Sequence, residues 1–262
     1  MNHLLGVYTI WYRDLLRFWR DKMRLFGSIT FPLLFLFVFG SGLSSRMGDL
    51  GPGIDFTQFI FPGIIGMTVL MTAFMSGVSV VWDREFGFLK EVLVAPISRA
   101  SVAMGKTLGS ATIALIQGAI ILLFAPLIGV SLSVWTVLAL VPLMFLLAAS
   151  LGSFGVLLAT RIRSMEAFQA TMQMLMFPMI FLSGAFFPLQ GLPAWMNVLV
   201  KINPATYGIA PIRQVILGTA SGPLYSITLF GYTLSIWNEI LILAIFGAVM
   251  ILLAMWSFGN QE

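Results

Sequence analysis

The sequence has no cysteine, so neither a disulfide nor a thiolate metal site can form. Histidine is almost as scarce, with His3 alone. A histidine-based triad and a multi-histidine metal site are therefore excluded, and most hydrolase chemistries go with them. Charge is thin as well, at 9% of 262 residues. The ten acidic residues leave no convergent acid–base pair in view, so no catalytic site is expected. Internal repeats are missing, and the two halves are not inverted copies, which argues against the repeat-built secondary-transporter architectures.

What the chain has in abundance is hydrocarbon. With 59% hydrophobic residues and a mean hydropathy of +1.00, it cannot hide its apolar atoms in one soluble core. An all-α membrane protein follows, because only helices satisfy every backbone group within such a segment in lipid. A core about 30 Å thick takes about 20 helical residues. Six stretches come near that length, at residues 25–43, 59–81, 105–130, 135–160, 167–187 and 240–258. The net charge of +4 would suggest nucleic acid in a soluble protein. Here the basic residues flank apolar spans, where they orient the chain, and no nucleic-acid partner is expected. Eleven of the fourteen Lys and Arg fall on one side of this layout, and only Arg46, Lys201 and Arg213 on the other. The first side is thus expected to be cytoplasmic, with both termini inside.

Residues 1–24 read as an interfacial helix. At 100° per residue, Arg13, Arg17, Arg20 and Arg24 share an arc of about 60°. Leu5, Tyr8, Trp11, Tyr12, Leu15 and Trp19 occupy the other face, suited to headgroup depth. Asp14 and Asp21, the length of the apolar run and the later spans argue against a secretory signal. Two roles are open for this helix, a plain lipid anchor and a border on a cytoplasmic partner.

Residues 82–104 form the most patterned charged stretch of the chain. From Asp83 to Val94, Phe86, Leu89 and Leu93 share one narrow face while Asp83, Arg84, Gly87, Lys90 and Glu91 gather on the other. The pattern predicts a short amphipathic helix on the membrane surface, ended by Pro96, with Ser98 as N-cap of the next span. Such an element is a lever that a soluble motor can grip. An ordinary positive-inside loop with a helical turn fits the pattern as well. Farther along, Ala100–Thr107 (ASVAMGKT) lacks the first glycine of a phosphate loop, and it has neither the strand nor the soluble sheet that motif needs. Gly105 and Gly109 instead allow close helix approach, with Lys106 expected to snorkel to the interface.

The run Arg84-Glu85-Phe86-Gly87-Phe88-Leu89, followed by Glu91, Leu93, Pro96-Ile97-Ser98-Arg99 and Gly105-Lys106, resembles the cytoplasmic loop of the ATP-binding cassette type-2 permeases, the membrane subunits of bacterial exporters of drugs, polysaccharides and lipids. A second block resembles the same family: Phe181-Leu182-Ser183-Gly184, Phe187-Pro188, Leu192-Pro193, Asn203-Pro204-Ala205-Thr206-Tyr207 and Arg213. The likeness covers nearly the whole chain. Lys90 departs from it, since family members often carry an acid there. The resemblance implies a single permease domain over residues 1–262, with a coupling helix in the 82–104 loop that seats in a separate ATPase subunit. Arg84, Glu85, Gly87, Leu89, Lys90, Glu91 and Pro96 are the coupling candidates. It further implies an external re-entrant segment over 188–238 containing Asn203, Pro204, Tyr207 and Arg213. ATP and Mg would belong to the partner, this chain would bind no cofactor, and a second permease copy would complete the pathway in the plasma (inner) membrane. A homodimer is the simpler expectation and a heterodimer stays open.

Glu166, Gln169 and Gln173 recur at helical spacing in the fifth span, and Gln117 sits in the third. With Met172 and Phe181 they are candidates to line a substrate pathway. Interhelical hydrogen bonding explains the glutamines equally well. The function expected is therefore a transport subunit without chemistry of its own. The alternative is an ion-coupled carrier or channel that works without an ATPase.

Overall fold

The computed structural model describes residues 3–47, 55–85, 98–162, 164–189, 191–218, 227–229 and 232–259. They are helical nearly throughout. Helix α1 (His3–Arg20) runs into α2 (Lys22–Met47), and α3 (Phe56–Phe74) into α4 (Ser76–Glu85). Next come α5 (Arg99–Leu122), α6 (Val134–Arg161) and α7 (Met165–Phe181). Two short helices, α8 (Ala194–Ile202) and α9 (Thr206–Leu217), precede the last, α10 (Ile236–Gly259). A two-residue pairing of β1 (Thr228–Leu229) with β2 (Tyr232–Thr233) lies just before α10.

Serine caps set three of the helix starts. Ser98 accepts from the Ser101 amide at 3.1 Å, as the sequence predicts, and Ser133 and Ser164 do the same for α6 and α7. By length and composition, four stretches can cross a membrane: Phe56–Glu85, Arg99–Leu122, Val134–Arg161 and Ile236–Phe258. The first apolar stretch reaches that standard only as part of a pair with α1, bent by 71°.

Three expected spans differ in the structure. The second is not one continuous helix, because its ladder breaks at Met75, between α3 and α4. The third ends at Leu122, and a single 3-10 turn over Ala125–Ile128 follows, closed by Gly129 at φ 75°. The fifth stops at Phe181 after only 17 residues. Pro178 removes a ladder donor near its end, and Gly184 at φ 74° then turns the chain. All three stretches stay predominantly apolar on average, so mean hydropathy does not reveal the breaks.

Helix α6 is the hub, packed by α3, α4, α5 and α10. Its approach to α4 depends on Gly77 and Gly155. A Cβ at Gly77 would strike the Gly155 carbonyl oxygen, and one at Gly155 would stand 2.5 Å from the Phe74 oxygen. The outward faces of α2, α6 and α10 carry Phe31, Leu34, Leu138, Ile245 and Leu252, all exposed. That apolar exterior suits lipid rather than water.

At the end of the bundle away from Arg84 and Arg99, α8 and α9 are stapled to the turn after α7. Asn203 donates to the Met179 carbonyl at 2.7 Å and accepts from the Ala205 amide at 3.0 Å, holding the kink that Pro204 enforces. Thr206 donates to the Val200 carbonyl at 2.9 Å, and Tyr207 to that of Lys201 at 2.7 Å. Burial, and then the Glu239 carboxylate, raise the Tyr207 phenol above its usual pKa, so it stays a donor. Arg213 is buried, donates to the Ala185 carbonyl at 3.1 Å and rests over Phe59 at 4.4 Å. Gln214 ties α9 to α10 through Glu239 at 2.9 Å.

Candidate functional site

The helices alternate in direction so that the C-termini of α4, α6 and α10 meet the N-termini of α5 and α7 at one end of the bundle. Most of the described basic residues lie at this end. Residues 86–97, which carry Gly87, Leu89, Lys90, Glu91 and Pro96, lie outside the described residues. The two flanks of that connection are described, and both are fixed.

On the first flank, Arg84 reaches across to α6. Its guanidinium donates to the carbonyls of Ala159 (3.3 Å), Thr160 (3.3 Å) and Ile162 (3.0 Å), the last acceptors of that helix. On the second flank, Arg99 donates to the Phe258 carbonyl at 3.5 Å, at the end of α10. A cation at a helix C-terminus satisfies orphan carbonyls and complements the helix dipole. Each end of the connection is thus anchored to a different apolar helix. Glu85 stays exposed at the last position of α4.

Beside these anchors lies a compact ionic junction. Lys106 is 2% exposed, and its ammonium sits 2.9 Å from Asp83 and 3.3 Å from Asp14, with the Ser79 hydroxyl at 3.0 Å. Arg13 reaches Asp83 at 3.0 Å and Asp14 at 3.7 Å. Two cations and two anions from α1, α4 and α5 therefore neutralise one another, with Lys106 and both carboxylates largely buried and the Arg13 side chain 35% exposed. Buried charges persist only when paired and hydrogen-bonded in this way. The expectation that Lys106 snorkels to the interface is overturned, since acids from two neighbouring helices reach it in place.

Helix α1 comes close enough for this because of Gly105 and Gly109. A Cβ at Gly105 would lie 2.8 Å from that of Ile10, and one at Gly109 would lie 3.2 Å from that of Asp14. The G-x-x-x-G spacing seen in the sequence serves to dock α1. Trp11 adds a hydrogen bond to Thr112 at 3.0 Å. In consequence Arg13 and Asp14 reach toward Asp83 and Lys106, while Leu4, Tyr8, Tyr12 and Trp19 stay exposed on the apolar face.

The pathway candidates separate into two groups. Gln117 is 2% exposed and is satisfied by other helices, accepting from Thr72 on α3 and donating to Ser28 on α2 at 2.6 Å. Met172 is fully buried. Glu166, Gln169, Gln173 and Phe181 share the exposed side of α7, polar toward the Arg84 end and aromatic beyond it. Asn203, Tyr207 and Arg213 are structural staples at the other end, as described above. We expect Gln117→Leu to cost about 1 kcal/mol of stability, the usual worth of such a bond. Thermal unfolding of reconstituted protein checks this, with transport per folded molecule unchanged; a transport defect at full stability would place Gln117 on the pathway.

Arg13, Asp14 and Asp83 were not legible as a group in the sequence. The available signal was Lys106 itself, an ionisable residue two turns inside an apolar helix, which requires an acidic partner.

A helical bundle with a lipid-matched exterior, its charges gathered at one end around an anchored connection, has the build of a membrane transport subunit. The chain belongs to the ABC-2 type transporter family, whose sequence model matches residues 6–217. It is 32% identical over 242 residues to ycf38 of Cyanophora paradoxa, whose name describes a transport permease, covering 89% of this chain and 82% of that protein. It is 29% identical to the inner membrane transport permease YadH of Escherichia coli K12, covering 88% of this chain and 90% of YadH. Nodulation protein J of Rhizobium leguminosarum bv. trifolii is 26% identical, covering 80% of each.

Proposed function

We propose that the chain is the membrane subunit of an ATP-driven exporter, with six crossings, both termini cytoplasmic, placed in the inner membrane. On this reading ATP and Mg are bound by a separate ATPase subunit, which seats the 86–97 connection as a coupling helix. Two permease copies form the pathway. The observation that carries the reading is the anchoring of the connection at both flanks. A push on it passes through Arg84 into α6 and through Arg99 into α10, while the Asp83–Lys106 pair passes it into α5 and α1. Family membership and the names of the relatives support the same role. α2 and α7 supply the two further crossings if the bilayer is thinned, or the bundle deepened, around the short α7.

An ion-coupled carrier or channel would use a buried ionisable group open to a pathway. Lys106 does not fit that use, because its ammonium is surrounded by three acceptors in a neutral cluster. The two readings divide on reconstitution with an ABC ATPase subunit that co-purifies with this chain. Stimulated ATP hydrolysis that Glu91→Ala and Gly87→Pro abolish is the expected result. Uncoupler-sensitive transport without any ATPase would contradict it.

A further inference from the structure

Helices α6 and α10 end side by side at the basic end of the bundle, joined by a 2.7 Å hydrogen bond between the Thr160 and Ser257 hydroxyls. Their terminal carbonyls are already served. Arg84 donates to those of Ala159, Thr160 and Ile162, and Arg99 to that of Phe258. Arg161, the last residue of α6, is therefore not needed as a cap. Its exposed side chain lies instead over the Trp256 ring, with the guanidinium carbon 5.9 Å from the centroid. Among the described residues no carboxylate comes within ion-pair distance of it.

Stacking engages the face of a guanidinium and leaves its N–H fork, which lies in the plane, open to an anion. The indole carries one further N–H donor suited to headgroup depth. Trp256 is 60% exposed, and along α10 from it Leu253, Leu252, Val249 and Ile245 follow at helical spacing on the same outward face, all exposed. From Trp256 to Ile245 this stripe covers about 16 Å of helix axis. That is the depth of one leaflet, half of a hydrocarbon core about 30 Å thick. The corner thus offers a cation at one end and an apolar track one acyl chain long.

We propose that Arg161 and Trp256 bind the phosphate of an anionic phospholipid whose acyl chain lies along the Ile245–Trp256 stripe of α10. The phosphate oxygens take the guanidinium fork, and the tail covers the stripe. A zwitterionic lipid brings the same phosphate but adds an ammonium group close to Arg161, Arg84 and Arg99, so the anionic headgroup is preferred. The bound lipid bridges α6 and α10, the two helices on which the flanks of the 86–97 connection are anchored.

The test uses the full chain in nanodiscs doped with phosphatidylglycerol or phosphatidylcholine, each carrying a diazirine on its acyl chain. After illumination, lipid adducts are mapped to residues by mass spectrometry. At equal mole fraction, phosphatidylglycerol should label residues 245–256 about fivefold more than phosphatidylcholine, the factor that one basic residue near an anionic membrane surface contributes. Arg161→Gln should bring the two lipids to parity, while Arg161→Lys keeps part of the preference through charge alone. Arg20→Gln, at an exposed arginine of α1, should leave the preference unchanged. Soluble glycerol phosphate should not reduce the labelling. Equal labelling by both lipids in the wild-type chain, a full preference in Arg161→Gln, an equal loss in Arg20→Gln, or removal by glycerol phosphate would each overturn the proposal. So would a stripe that neither lipid labels, the sign of a second copy seated on it. The wild-type comparison depends on no variant, and no ATPase enters the experiment, so its outcome is independent of the coupling reading.

Discussion

Replacing Lys106 by methionine is expected to destabilise the protein by about 3–5 kcal/mol, the range for removing one partner of a buried ion pair. Methionine fills nearly the same volume, so the loss measures charge rather than packing. It leaves Asp14 and Asp83 buried with Arg13 as their remaining cation in the junction. Thermal unfolding in nanodiscs reads the loss, and Asp14→Asn on top of Lys106→Met should recover part of it by removing one of the stranded anions. A neutral effect of the single substitution would mean that the junction is open to water. The same substitution should uncouple the protein before it unfolds it. If the coupling proposal holds, ATP hydrolysis by the ATPase subunit should no longer respond to this chain below the melting temperature, because α4 and α5 lose their tie.

The second large effect is expected at Gly155. An alanine there brings its methyl carbon to 2.5 Å from the Phe74 carbonyl oxygen, a backbone atom that cannot rotate away. Helices α3 and α4 must then withdraw from α6. Overpacking a core costs about 1–3 kcal/mol and more where backbone must move. Gly155→Ala is therefore expected at or above the top of that range, with yield falling in step. Gly27→Ala is the control, since no atom lies within 4 Å of its added methyl. There the helix should gain about 0.5–1 kcal/mol from alanine's better propensity. Paired unfolding curves of the two variants check both signs at once.

These two sites show how far the sequence could be read. The all-α membrane class, the Ser98 cap and the two short stretches before the last helix were legible because each rests on local chemistry: hydropathy, a serine before a helix, a proline at a kink. The grouping of basic residues at one end was legible for the same reason, as an alternation along the chain. Helix breaks at Met75, Leu122 and Phe181 were not, since a hydropathy average passes over them. The ionic junction was hidden for another reason. Arg13, Asp14, Asp83 and Lys106 stand far apart in the chain, and only packing brings them together. The glycines that allow the packing looked like a generic helix-dimer motif, and the lysine between them like an interfacial one. Gln117 carried two readings in the sequence, and its partners on α2 and α3 account for both ends of its amide.

The central claim is that the charged connection after α4 is the seat of an ATPase subunit. Photo-crosslinking from a benzophenone residue at Glu91, in native membranes that also contain the ATPase, tests it most directly, with Trp195 at the opposite end of the bundle as the comparison site. The account predicts a covalent adduct with the ATPase from position 91 and none from position 195. Adducts from 195, or an ATPase left untouched by 91, would contradict it.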